Sequence, residues 1–146
     1  MYRVLVPIDS EEERVRGQIA AIRDLPQAAD EVRVDLLYVY EEVDTPPDEA
    51  GRAYIDMINE NIEDIQGLPG TVDLARTELR EAGIETEVHE VTGDPADAIL
   101  EVATKYDVDA IAIGTRRRSP VGNALFGSVA QDVILKSDRP VLVTTA

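Results

Sequence analysis

Short apolar runs alternate with segments of helical periodicity along most of the chain, and this alternation constrains the fold more than any other feature. "YRVLVPI" (2–8), "VRVDLLYVY" (32–40), "VDAIAIG" (108–114) and "RPVLVTT" (139–145) are runs of this kind. Rich in Val, Ile and Leu, they read as strands, the first and third buried, the second buried on both faces and 139–145 the last of the sheet. "SEEERVRGQIAAIRDLP" sets Val15, Ile19 and Ile22 at i, i+4 and i+7, one face of a helix. Ser10 is placed to cap its start, and the early glutamates suit the positive helix end. "TVDLARTELREAG" turns Val72, Ala75 and Leu79 inward and stops at Gly83. "GDPADAILEVATKYDV" has Asp94 as cap, Pro95 at the first helical position and a stripe of Ile99, Val102, Ala103 and Tyr106. "SVAQDVILKS" is the last helix.

"IETEVHEV" (84–91) differs from the other strands. Ile84, Thr86 and Val88 fall on one side and Glu85, Glu87 and His89 on the other, which predicts an edge strand with one wet face. His89, the sole histidine, then reads as a surface bystander and not as a general base. The order β-α-β-α-β-α-β-α-β predicts an α/β fold: a single open, doubly wound five-stranded parallel sheet with helices on both faces. The 146 residues make one domain, 1–146, without internal repeats. Residues 41–69 form an irregular excursion: a proline-rich loop, an amphipathic stretch "AYIDMINENIEDI" and a break at "QGLPG". A lid and a plain surface elaboration are both open for it.

Charge narrows the function. Thirty acidic residues face fourteen basic ones, for a formal net charge of −16, and Lys105 and Lys136 are the only lysines. Such a surface repels nucleic acid and anionic membranes. The acids are dispersed, which favours adaptation to high salt (a halophilic source) over an acidic patch for a basic partner. No apolar run approaches the roughly 20 residues of a membrane helix. "MYRVLVPID" lacks the charged flank and cleavage site of a signal peptide, so a cytoplasmic protein is expected. With no cysteine, disulfides, thiol catalysis and cysteine metal sites are excluded.

Against this acidic background, "GTRRRSPVGNALFGS" (114–128) gathers three arginines in a glycine-bearing loop. Ligands of doubly wound sheets sit beyond the carboxyl ends of the strands, where strand order reverses. Two segments there carry suitable chemistry, Pro7-Ile8-Asp9 and the arginine loop. Gly127-Ser128 opens a helix whose first N–H groups lack internal partners, the physics of a phosphate cradle. Guanidinium groups from Arg116, Arg117 or Arg118 add bidentate contacts to phosphate oxygens. The alternative is that the arginines pair with nearby carboxylates or a partner subunit. There is no G-x-G-x-x-G after the first strand and no G-x-x-x-x-G-K-[ST], so dinucleotide and Walker-type sites are unsupported. A receiver domain would need an acidic pair after the first strand and an aspartate ending the third, which ends Val91-Thr92-Gly93.

Across essentially its full length, the chain resembles the universal stress protein family: "VLVPID", "DLLYVYEE", "GDPADAIL" and "DAIAIGTRRRSPVGNALFGSVAQDVILKSDRPVLV" carry the likeness. The resemblance implies a Rossmann-like, adenine nucleotide alpha hydrolase-like fold. The family's nucleotide-binding members carry Gly, two residues, Gly, nine residues, Gly, then Ser or Thr. Gly114 and Gly127-Ser128 fit that spacing, and Arg117 stands at the second glycine position. By resemblance, Asp9 lies near the ribose and phosphates and can hold Mg²⁺ through them. It can equally cap the first helix. Val39 offers backbone contacts to adenine. The implied ligand-binding set is Pro7, Asp9, Val39, Gly114, Thr115, Arg117, Gly127 and Ser128, for ATP. The family divides into members that bind ATP and members that do not; a member acting only through protein contacts is the alternative reading, and slow ATP hydrolysis is a third. No residue is visibly placed to activate water, so a binding or signalling protein is expected before an enzyme. The resemblance also implies a homodimer through the last strand, Val141, Leu142 and Val143. That strand is apolar and lacks protective lysine, as an edge awaiting a partner would be.

Arg117→Gly tests the loop by nucleotide titration. If Arg117 clamps phosphate, the change weakens ATP binding by about 1.5–3 kcal/mol, the worth of a charge-assisted hydrogen bond. Tighter binding would mean that arginine blocks the site.

Overall fold

A computed structural model describes residues 1–26, 28–41, 69–115 and 127–145. Five strands, β1 (Tyr2–Pro7), β2 (Val32–Tyr40), β3 (Glu85–Thr92), β4 (Ala110–Thr115) and β5 (Val141–Thr145), form one parallel sheet in the order β3-β2-β1-β4-β5. Among the described residues, five helices join them: α1 (Glu12–Arg23), α2 (Ala28–Glu31), α3 (Gly70–Glu81), α4 (Pro95–Lys105) and α5 (Ser128–Lys136). This is the doubly wound α/β sheet that the alternation predicts. The excursion falls almost wholly outside the described residues, and so does Arg117. The single turn α2 escapes a periodicity reading because four residues carry no repeat.

Two apolar layers sandwich the sheet. On one face, Val15, Ile19 and Ile22 of α1 and Val72, Ala75 and Leu79 of α3 pack on Val4, Val6, Val34 and Leu36. On the other, Ile99, Val102 and Ala103 of α4 and Ala130 and Val133 of α5 pack on Leu5, Leu37, Ile111 and Ile113. The continuous apolar runs of β1, β2 and β4 follow directly, since both of their faces meet helices. Cap chemistry sets the connections. Asp94 accepts the Asp97 N–H at 3.1 Å with Pro95 behind it, and Gly83 closes α3 at φ 76°, a conformation that favours glycine. At α1 the cap differs from expectation. Glu11, not Ser10, is the N-cap residue and makes no side-chain cap bond. The Asp9 carboxylate instead accepts the Glu11 N–H at 2.9 Å.

The wet face of β3 also differs from expectation. Glu85 and Glu87 are exposed, but the His89 side chain is only 11 % exposed, because Tyr106 at the end of α4 stacks on it at 4.4 Å between ring centroids. His89 Nε2 lies 2.9 Å from Asp35 Oδ1. Asp35 is fully buried in β2 and takes two more hydrogen bonds from Arg3, one from Nε and one from Nη2 at 3.0 Å. Arg3 Cζ sits 5.0 Å from the Tyr106 ring centroid, a cation–π contact, and Nη1 donates to the Tyr106 carbonyl. His89 is therefore part of a buried charge network.

Burial by itself pushes the Asp35 carboxyl up. Hydrogen bonds from Arg3 and His89, with their charges, outweigh it and hold the group below its ordinary value. A depressed carboxylate contributes stability that is present above its unfolded-state pKa and lost as pH falls through the folded one. Asp35→Asn is expected to cost about 3–5 kcal/mol at neutral pH, because it leaves Arg3 without its counter-ion. That deficit should shrink on acidification below about pH 4. Urea denaturation across that range checks both; a pH-independent difference would contradict the network's role.

Candidate functional site

The strands part at the carboxyl end of the sheet. β1 runs in register with β2 over six residues but with β4 over only two, Val4↔Ala110 and Leu5↔Ile111. Beyond that point β1 stays with β2 and β4 with β5. Splitting a sheet strips backbone groups of their ladder partners, and a buried carbonyl without a donor is costly. Gln18 of α1 fills the gap. Its side chain is nearly fully buried, and Nε2 donates to Pro7 O at 2.7 Å and to Ala112 O at 3.0 Å. One amide group thus serves two carbonyls on diverging strands and holds them at a fixed separation.

The parted strands open into a cavity of about 530 Å³, within the range of small-molecule and cofactor sites. Its lining joins the β1 end, Leu37–Val39 of β2, the Gly114-Thr115 end of β4 and the start of α5. Seven of the eight sequence-predicted residues border it: Pro7, Asp9, Val39, Gly114, Thr115, Gly127 and Ser128. The eighth, Arg117, lies outside the described residues. Gly127 is the N-cap of α5, extended at φ −60° and ψ 158°, without a side-chain cap bond. Among the described residues a Cβ there would meet nothing within 4 Å, and the amides of the first turn have no intrahelical partner. Ser128 is exposed beside it. Thr115 is committed elsewhere: it is buried, and its hydroxyl donates to Thr144 O at 3.1 Å.

Asp9 has both oxygens engaged. Oδ1 accepts from Glu11 N–H and Oδ2 lies 2.9 Å from Arg14 Nη1, while the Asp9 carbonyl accepts the Thr71 hydroxyl at 2.6 Å. The loop after β1 is thereby fixed from α1 and from α3. Among the lining residues that sequence reasoning missed are Arg14 and Gln18 of α1. Gln18 had a signal: a polar residue on the apolar face that Val15, Ile19 and Ile22 define. Arg14 had none, since charged residues surround it in sequence.

Gly114 owes its identity to these two side chains. A Cβ built there would stand 2.6 Å from Arg14 Cγ and 3.2 Å from both Arg14 Cδ and Gln18 Cδ. Its φ is not among the positive values, so the constraint is space and not backbone conformation. Near the other end of the sheet, Asp35, Glu87 and His89 bring potential metal-ligating atoms within 4.8 Å of one another. Arg3 binds both Asp35 oxygens and Arg33 pairs with Glu87, so guanidinium groups already supply the counter-charge. The described geometry favours an ion-pair network there.

Residues 1–145 match the family model described as the universal stress protein family. The chain belongs to the universal stress protein family. A universal stress protein of Mycolicibacterium smegmatis is 35 % identical over 74 residues, 50 % of this chain and 57 % of that protein. The chain spans about half the length of the curated relatives it matches. Solved structures of the family align over nearly all of it. A universal stress protein from Archaeoglobus fulgidus superposes with a TM-score of 0.69 at 30 % identity, covering 99 % of this chain and 98 % of that one. The structure of the universal stress protein from the same organism in complex with dAMP gives a TM-score of 0.64 at 26 % identity, with the same coverage. The Rossmann-like arrangement expected from the sequence is the family's fold.

Gly114→Ala is expected to destabilise the protein by about 1–3 kcal/mol through overpacking. Adding Arg14→Ala should recover part of that loss, with a coupling above about 0.5 kcal/mol. Denaturant unfolding of the two single variants and the double variant checks this. Strict additivity would mean that Gly114 and Arg14 do not share the space.

Proposed function

We propose that this chain is an adenine-nucleotide-binding universal stress protein, with ATP as its ligand, acting as a cytoplasmic stress-response sensor or regulator. The observation that carries the reading is the crevice between β1 and β4, bordered by Asp9, Val39, Gly114, Gly127 and Ser128 and facing the start of α5. Backbone at Val39 would meet the base, and the α5 amides with Ser128 would take the phosphates. The dAMP complex of the Archaeoglobus fulgidus relative supports an adenine nucleotide in this family. Each Asp9 oxygen already has a protein partner, so Mg²⁺ would be held chiefly through the phosphates with Asp9 beside them.

The same reading makes the protein a homodimer. β5 is last in the sheet order, and Val143 on it is 41 % exposed. An apolar edge strand presents unpaired backbone groups, and the same strand of a second copy covers them symmetrically.

Calorimetric titration with ATP, ADP and AMP, with and without Mg²⁺ at high salt, tests the ligand. Saturable binding is expected, and Ser128→Asp should weaken it at least about tenfold by placing negative charge at the helix start. No heat and no thermal shift would leave a family member that works through protein contacts alone. Sedimentation should give a dimer for the wild type and a monomer for Val143→Lys; a wild-type monomer would refute the β5 interface.

A further inference from the structure

We propose that Arg14 is the residue that gives this crevice its preference for a phosphate-bearing ligand, an inference that rests on the nucleotide reading above. The charged residues among the described lining are Asp9, Arg14 and Glu41. Two carboxylates and no cation would repel an anion from a cavity with partly apolar walls, where charges are weakly screened. Arg14 is the cation in that set. Its side chain is 22 % exposed, with Nη1 2.9 Å from Asp9 Oδ2 and Nη2 3.8 Å from Glu11 Oε2.

A guanidinium carries five N–H donors in a planar fork, and its two ion-pair contacts leave donors for a second anion. Arg14 can therefore cancel the charge of Asp9 and bind a phosphate oxygen at the same time. The carboxylate sets the orientation of the guanidinium, and the fork supplies bidentate geometry toward phosphate.

The packing shows that this placement is built in. Gly114 leaves the end of β4 without a side chain, and the Arg14 stem lies in that space, since a Cβ would come 2.6 Å from Arg14 Cγ. Gln18, one turn further along α1, is fixed by Pro7 O and Ala112 O and limits where the stem can go. The first turn of α1 thus delivers a cation to the rim of the crevice. The α5 start, at Gly127 and Ser128, borders the same cavity. A phosphate chain would lie between a guanidinium from α1 and amides from α5.

The test measures ATP, adenosine and tripolyphosphate binding to the wild type, Arg14→Met and Arg14→Lys. Met keeps most of the stem and removes the charge; Lys keeps a charge and loses the fork. Arg14→Met is expected to weaken ATP and tripolyphosphate binding about 10- to 100-fold, leave adenosine binding within about twofold, and flatten the salt dependence. Arg14→Lys should fall between the two. It decides the matter if the Met variant does not fold, through a several-fold drop in the ratio of ATP to adenosine affinity. An unchanged ratio in a wild type and variant that both bind ATP overturns the role of Arg14 and leaves the nucleotide reading intact. Arg14-dependent binding of tripolyphosphate without any adenine nucleotide binding overturns the nucleotide reading and keeps the role of Arg14. A wild type that binds none of the three overturns both.

Discussion

The Gln18 side-chain amide spans the gap where β1 and β4 come apart, and the candidate site depends on it. A parallel sheet gains its stability from continuous ladders, so any crevice in it exposes carbonyls that need other donors. Pro7 O and Ala112 O find theirs on one nitrogen, carried by a helix that packs across both strands. The opening therefore has a fixed width set by hydrogen-bond geometry. Gly114, Asp9 and the start of α5 inherit their positions from that frame.

Around the crevice, charges are handled in pairs. Asp9 meets Arg14 at the mouth, and Asp35 meets Arg3 and His89 nearer the amino-terminal ends of the strands. The two pairs face different surroundings. Asp35 has no solvent access, so its charge is tolerable only because Arg3 and His89 contact both of its oxygens. Asp9 is partly exposed and its ion pair can admit a competitor. The inner pair is suited to holding the fold and the outer one to exchanging partners with a ligand. A chain of net charge −16 can in this way present a local site to an anion while its surface as a whole remains acidic.

Much of the fold was legible in the sequence because doubly wound sheets write their burial directly into residue patterns. "VRVDLLYVY" reads as a two-faced strand, and Leu36 and Leu37 meet opposite apolar layers. Asp94-Pro95 and Gly83 mark helix ends through local chemistry that needs no tertiary context. The site residues came from the family resemblance, whose glycine spacing Gly114 and Gly127-Ser128 match, and the described ones border one crevice. What resisted was tertiary. His89 falls on the polar side of an alternating strand, and nothing local announces that Tyr106 will cover it. Asp35 inside an apolar run was the available sign of a buried counter-charge. Gly114 invites a reading as a turn or phosphate glycine, whereas the space it leaves is filled by Arg14 and Gln18 from a helix a hundred residues earlier. Sequence spacing shows which residues can share a site but not which side chains compete for the same volume.

The central claim is one of location: a ligand enters where β1 and β4 diverge. Backbone amide NMR shifts during titration with AMP test it most directly. The account predicts the largest changes at Asp9, Val39, Gly114, Gly127 and Ser128, with His89 and Tyr106 nearly still. Shifts centred on His89 and Tyr106, where β3 and α4 enclose a second pocket of about 400 Å³, would contradict it.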